Sequence, residues 1–352
     1  MKITAITTHV VNAELRNWLF VRVETDEAGL YGWGEATLEW KSRAVEGAIA
    51  DLAPILIGHD PRDIENAARA VRKHGFWQPL GVIGMTALSG IEMALWDILG
   101  KSLGVPVWRL LGGKVRDRVP VYTHLGLGEM NAVYNTMDAS SLVERGLAVK
   151  EKGYRAMKVV NVPYTHYTAT PRALAAFEAS MGALREAVGP EIELMVDFHG
   201  RCGSAGAALA FLKVLEPFGV MFAEEPIPPG DVASMKAIAM ASRVPIAHGE
   251  RLTSAQDFAP YIEARTMTVA QPDLCHCGGF SEARRIAALA EVAGIGLAPH
   301  NPLGPIAGVA ALHFDIATPN VVIQEEMTGA VPRDFEVVEG PIRRVDGYWQ
   351  LP

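Results

Sequence analysis

From Val119 onward the chain repeats one unit: a short β-rich run, a loop, an amphipathic helical stretch, then the next run. The runs are VPVYTH, AMKVV, IELMVD, VMFAEE, VPIAHGE, MTVAQPD, IGLAPH and NVVIQE, with stretches such as SAGAALAFLKVLEPFG and SEARRIAALAEVAG between them. Strands that alternate with helices must run parallel and cross over right-handedly. Eight such strands between residues 120 and 325 have the count and length of a small (β/α) barrel. That constraint organises the rest of the chain.

The residues closing the runs are His124, Lys158, Asp197 with His199, Glu224, Glu250, Asp273, His300 and Glu325. The steps are 27 residues from Asp197 to Glu224, then 26 to Glu250, 23 to Asp273, 27 to His300 and 25 to Glu325. Each position is therefore equivalent in successive units, and together they predict a ring at the C-terminal face of the barrel, where active sites sit. A lone acid at a loop start is usually a cap or a solvated charge. Six positions in phase are not explained that way, and packed carboxylates repel one another without a cation among them.

Asp197, Glu224 and Glu250 close three consecutive runs and offer only oxygen ligands, which suits Mg²⁺ better than Zn²⁺. Asp197 and His199 stand two apart, so an extended chain would point both the same way. The competing metal motif, CHC at Cys275–Cys277, lacks a fourth ligand and the usual C-x-x-C spacing, and reads as buried thiols.

Ahead of the barrel the pattern differs. ITAITTHVV, WLFVRVETD and GLYGWGEA form an antiparallel meander, followed by helical patterns from Ser42, read as an N-cap, and in MTALSGIEMALWDILGKSLG. Residues 1–112 read as an N-terminal α+β domain, 113–325 as the barrel, and 326–352 as a β-like segment that returns to the first domain. Net charge of −8 and a pI near 5.7, with no basic run, argue against a nucleic-acid or anionic-membrane partner. Three clustered cysteines fit a reducing compartment, and the N-terminus lacks a signal-peptide core, so a cytoplasmic protein is expected.

The segments DFHGR, FAEEPIPP, PIAHGERL, QPDLCHCGGFSEARRIAALAE, APHNPLGP and IQE, with GLYGWGEATLE and ALWDILGKSLGVPVWRLLGG earlier, resemble the mandelate racemase subgroup of the enolase superfamily, most closely its D-galactonate dehydratases. The resemblance covers nearly the whole chain in the right order. It implies a (β/α)₇β modified TIM barrel with an N-terminal capping domain, and one Mg²⁺ per subunit on Asp197, Glu224 and Glu250. The first Glu of EEP is the ligand in such proteins, which leaves Glu225 aside. It implies His300 as base supported by Asp273, His199 as the second acid–base group, and Glu325 as a donor to the intermediate. To donate, Glu325 must be protonated, which burial among carboxylates would favour, and otherwise it is an acid one step behind the reacting atoms. MKVV departs from the K-x-K of many relatives: Lys158 is present and Val160 replaces the second lysine, which disfavours racemases and lactonising enzymes.

Arg16 and Trp18, read as lying in the loop between the first two strands, would overlie the barrel mouth in the arrangement that the resemblance implies. With Lys158 and His124 they are the candidate substrate-binding residues, although Trp18 fits a domain interface equally well. His124, His248 and His276 taken singly read as satisfied polar residues. The activity implied is dehydration of an acid sugar, an aldonate such as D-galactonate, to a 2-keto-3-deoxy acid. Alternatives are an epimerase on the same site, a Schiff-base enzyme using Lys158, and a non-catalytic sugar-acid binding protein. The expected partner is a small acid-sugar molecule, and a homo-oligomer is expected.

Overall fold

The computed structural model describes residues 1–74, 76–125, 136–327, 330–340 and 342–351. Strands β1 (Ile3–Ala13), β2 (Arg16–Thr25) and β3 (Tyr31–Glu35) form the expected antiparallel meander. Helices α1 (Ser42–Leu56) and α3 (Gly81–Leu103) pack on it, and α2 (Ile64–His74) packs against those two helices. Ser42 is the first helical residue, preceded by Lys41 at the cap position with no side-chain cap. Helix α3 is long and apolar enough to span a membrane, yet 72% of that window is buried inside the molecule. It lies directly on β3: a Cβ at Gly32 would come 2.0 Å from the Ala94 carbonyl oxygen, and one at Gly34 1.9 Å from that of Gly90. Only glycine permits that approach.

A short α4 (Val107–Leu110) leads to the barrel. Its parallel strands are β4 (Arg118–His124), β5 (Ala156–Val159), β6 (Glu193–Asp197), β7 (Phe222–Glu224), β8 (Ile246–His248), β9 (Val269–Ala270), β10 (Gly296–Leu297) and β11 (Gln324–Glu325). Each is followed, up to β10, by one helix: α5 (Ala139–Glu151), α6 (Pro171–Val188), α7 (Ala205–Leu215), α8 (Val232–Ala241), α9 (Ala255–Glu263), α10 (Gly279–Val292) and α11 (Pro305–Ala317). Neighbouring strands pair in chain order, the Leu297–Val321 bridge joins β10 to the approach of β11, and β11 pairs with β4. The barrel is closed and has the (β/α)₇β form expected from the sequence.

The C-terminal segment divides, where the sequence suggested a single return to the capping domain. Val331 packs with Ala13, Trp18 and Phe20 of the capping sheet. The hairpin of β12 (Arg343–Val345) and β13 (Tyr348–Gln350) instead pairs antiparallel with the start of β4. Trp349 anchors it, fully buried, with its indole N–H donating to Glu326 at 2.5 Å. The unpaired first half of β4 offers ladder groups that this hairpin satisfies.

Two buried carboxylates join the domains. Helices α10 and α11 start at glycines, Gly278 and Gly304, which have no side chain to cap them. Glu92 of α3 accepts the amides of Phe280 and Ser281, both at 2.9 Å, and the Ser281 hydroxyl at 2.6 Å. Glu35 of β3 accepts the amides of Gly304 and Ala307, both at 2.8 Å. The capping domain thus supplies the N-terminal acceptors that the glycine caps of these barrel helices lack. Burial pushes both carboxyls up to about 7 against the hydrogen bonds they receive.

Candidate active site

One layer of the barrel interior is apolar: Tyr122, Ala156, Met195, Phe222, Ala247, Val269, Ala298 and Ile323. Side chains alternate along a strand, so the residue two further on faces the same interior. At the ends of the eight strands, or just past them for Gly249, Gln271 and His300, those residues are His124, Lys158, Asp197, Glu224, Gly249, Gln271, His300 and Glu325. Seven of the eight are polar, and that layer is the floor of the site.

Single ligand oxygens of Asp197, Glu224 and Glu250 lie within 4.8 Å of one another. Glu250 Oε2 is buried without a hydrogen-bond partner, and Asp197 Oδ2 is buried beside the cationic groups of His199 and Lys158. Burial, then the carboxylates of Glu225, Glu224 and Asp197, push the Glu250 carboxyl well above its ordinary range. Crowded, mutually repelling hard oxygens, one of them without a hydrogen bond, fit a divalent cation. Glu225 is not among them: it turns away at φ 39° and pairs with Arg251, whose Nε donates to it at 3.1 Å.

Lys158 is the one ammonium inside this ring among the described residues. Fully buried, it reaches Glu325 at 2.7 Å, both oxygens of Glu224 at 2.8 and 2.9 Å, and Asp197 at 3.4 Å. Burial opposes its charge, but Glu224 and Glu325 raise its pKa well above normal. It therefore serves as a counter-ion, and a role as a neutral amine nucleophile does not fit.

Glu325 departs from expectation. It lies among cations and donors: Lys158, His124 Nε2 at 2.5 Å, and the Asn301 amide at 2.8 Å, with His300 Nε2 at 3.9 Å. Burial favours its protonated form, yet Lys158, His300 and His124 outweigh it and hold the carboxyl well below its usual range. Crowding among carboxylates is thus the lesser influence here. The same contact makes His124 part of the ring, and burial followed by Lys158 lowers its pKa.

His300 places Nδ1 2.7 Å from Asp273 Oδ2 and leaves Nε2 facing Glu250 at 3.5 Å. Burial works against its charge, but Glu325 and Asp273 carry its pKa up to about 9. His199 reaches the ring by a different route from the extended chain expected. The strand ends at Asp197, and His199 takes a left-handed φ of 48°, its amide donating to Asp197 Oδ1 at 2.7 Å and Nε2 lying 3.0 Å from Oδ2. Burial lowers and Asp197 raises its pKa, with a net rise.

Arg16 and Trp18 lie on β2, not in the preceding turn. Arg16 pairs with Glu39 and donates to the Pro302 carbonyl at 2.5 Å, in the loop just after His300. Trp18 is 2% exposed and packs so closely that a Cβ on Gly304 would come 2.9 Å from its ring. Both grip the 301–304 loop. His248, held by Thr266 at 2.9 Å, is a satisfied buried imidazole that burial lowers to about 3, and the three cysteines are buried thiols.

Sequence reasoning passed over Gln271. It is fully buried in the polar layer between β8 and β10, with neither amide atom hydrogen-bonded. The signal that finds it is the two-residue step from Val269, since the motif QPD draws attention only to Asp273.

A closed barrel whose rim gathers a carboxylate triad, a histidine paired with an aspartate and a second histidine defines an acid–base enzyme with a cluster of carboxylate oxygens. The chain belongs to the enolase superfamily. Residues 3–112 match the family described as Mandelate racemase / muconate lactonizing enzyme, N-terminal domain, and residues 141–352 match Enolase C-terminal domain-like. It is 41% identical over 329 residues to D-galactonate dehydratases of Xanthomonas euvesicatoria pv. vesicatoria and Xanthomonas oryzae pv. oryzae, covering 94% of this chain and 82% of each relative. A solved enolase-superfamily structure from Salmonella Typhimurium superposes with a TM-score of 0.93 at 31% identity, over 100% of this chain and 94% of that one. An enolase from Agrobacterium radiobacter, with Na and L-malate bound, superposes at 0.90 and 30% identity, over 100% and 90%. The class of chemistry is that of a carbon–oxygen lyase.

Proposed function

We propose that the chain is a Mg²⁺-dependent acid-sugar dehydratase whose substrate is D-galactonate or a related aldonate, and whose product is the 2-keto-3-deoxy acid. The observation that carries this reading is the adjacency of the oxygen triad to the His300–Asp273 pair, because loss of a proton beside a carboxylate needs both positive charge and a base. Mg²⁺ would be held by Asp197, Glu224 and Glu250, and bound there it supplies positive charge to oppose the negative charge that grows on the substrate carboxylate.

The residues then divide the work. His300 accepts the proton at Nε2 while Asp273 holds Nδ1–H and fixes the tautomer. His199, beside Asp197, gives a proton to the departing β-hydroxyl, so water leaves and the resulting enol becomes the keto acid. Lys158 and Glu325 hold the charge balance under the reacting atoms. His124, through Glu325, belongs to the same ring. Arg16 and Trp18 shape the mouth through the 301–304 loop, since the Arg16 charge is already paired with Glu39.

The test is incubation with D-galactonate and a panel of mono- and diacid sugars, with Mg²⁺ or EDTA, followed by semicarbazide detection of keto acid. Keto acid formed only with the cation is expected. A C2 epimer without keto acid would replace dehydration by epimerisation, and turnover indifferent to EDTA would remove the metal from the reading.

A further inference from the structure

A row of buried side chains runs from the capping domain to the base. Asp273 Oδ2 faces two imidazoles, His300 Nδ1 at 2.7 Å and His276 Nε2 at 3.5 Å, while Oδ1 accepts the Cys275 amide at 2.7 Å. The far nitrogen of His276, Nδ1, lies 3.0 Å from the hydroxyl of Thr86 on α3. Asp273 is 1% exposed, His276 4% and Thr86 0%. His276 sits in a turn fixed by its own amide and that of Cys277, which donate to the Asp273 carbonyl at 3.0 and 2.8 Å. The reading of His276 as merely a satisfied polar residue leaves out what satisfies it: a hydroxyl from the other domain.

A neutral imidazole carries one proton, so one nitrogen donates and the other accepts. Opposite a carboxylate, Nε2 must be the donor, because a bare nitrogen there would face lone pair to lone pair. That makes Nδ1 the acceptor, and the only hydroxyl facing it among the described residues is Thr86. The reverse tautomer would turn the Thr86 hydroxyl into an acceptor and leave Asp273 facing His276 without a donor.

We propose that Thr86 and His276 are positioning residues for the base. Asp273 selects the Nε2–H tautomer of His276, Thr86 donates to the bare Nδ1 and so holds the ring in place, and His276 holds the Asp273 carboxylate against His300. The capping domain thereby sets the geometry of proton abstraction as well as covering the mouth. Neither residue touches substrate, so their loss acts on turnover and leaves substrate affinity alone. The kinetic half of this proposal rests on the dehydratase reading, whereas the tautomer half stands without it.

The experiment uses the full chain labelled with ¹⁵N-histidine and two-bond ¹H–¹⁵N ring spectra, with the His276 signal assigned from its disappearance in His276→Gln. The wild type should show the His276 proton on Nε2 and a bare Nδ1. Thr86→Val, nearly isosteric, should keep the proton on Nε2 but move the bare Nδ1 resonance downfield as its hydrogen bond is lost, and Thr86→Ser should keep the wild-type resonance. On D-galactonate, Thr86→Val should lower kcat about tenfold, the lower end for loss of a group that orients a catalytic one, with KM within twofold, and Thr86→Ser should restore kcat. Melting curves of both variants check that the fold is intact. A wild-type proton on Nδ1, or a valine variant with unchanged ring spectrum, overturns the proposal, and so does an unchanged kcat. If the wild type fails to dehydrate D-galactonate, the substrate reading falls and the ring spectra still decide the proposal.

Discussion

Replacing Lys158 by methionine removes one charge and keeps the length and volume of the side chain. Asp197, Glu224 and Glu325, each fully buried, then lose their shared ammonium, which now stands 3.4, 2.8 and 2.7 Å away. Breaking a buried ion pair by deleting one partner costs about 3–5 kcal/mol, a large part of a typical total of about 5–15 kcal/mol. At roughly 2 °C per kcal/mol for a chain of this size, the midpoint in EDTA should fall by about 6–10 °C. The decisive measurement is calorimetry with and without Mg²⁺. A ligand that binds only the folded state stabilises by RT ln(1 + [L]/Kd), and a cation entering a ring short of positive charge should bind more tightly. The increment from Mg²⁺ should therefore be larger in Lys158→Met than in the wild type. A variant that melts within 2 °C of the wild type in EDTA, or gains no more from Mg²⁺, would refute the view of Lys158 as the counter-ion of the ring.

Stability should also depend on pH through the two inter-domain acids. Glu92 and Glu35 have folded pKa values near 7 against an ordinary 4.5, so the folded state binds more protons across that window. Stability is therefore greatest near or below pH 4.5 for these groups and declines as pH rises to about 7, by up to about 3 kcal/mol each. Glu92→Gln should flatten its share of that slope in urea titrations at pH 5 and pH 7.5, and an unchanged slope would show that Glu92 is ionised throughout. The two histidines separate by isotope exchange. His300→Asn should abolish dehydration and exchange of the proton next to the carboxylate with D₂O, whereas His199→Asn should stop dehydration and still permit exchange. Exchange that survives in His300→Asn but vanishes in His199→Asn would reverse the two roles.

The sequence by itself determined the barrel and the charged and histidine members of its ring, but not Gln271. Period-two strands separated by helices fix parallel pairing, and in a parallel barrel the interior is a one-dimensional repeat, so residues at equal steps land at equal heights. Asp197 and Glu224 come together for that reason, as do His124, Lys158, His300 and Glu325, and Glu250 joins them from the residue just past Gly249, beyond the end of its strand. What the tertiary structure decided is what each member touches. The ionised state of Glu325 depends on Lys158 and His124 arriving from other strands, and the left-handed turn at His199 depends on the Asp197 carboxylate catching its amide. Glu35 and Glu92 cap helices whose first residues lie well over a hundred positions later, and Thr86 meets His276 across 190 residues. Periodicity is a property of neighbours along the chain. Hydrogen bonds and charge balance are properties of neighbours in space, which no local pattern encodes.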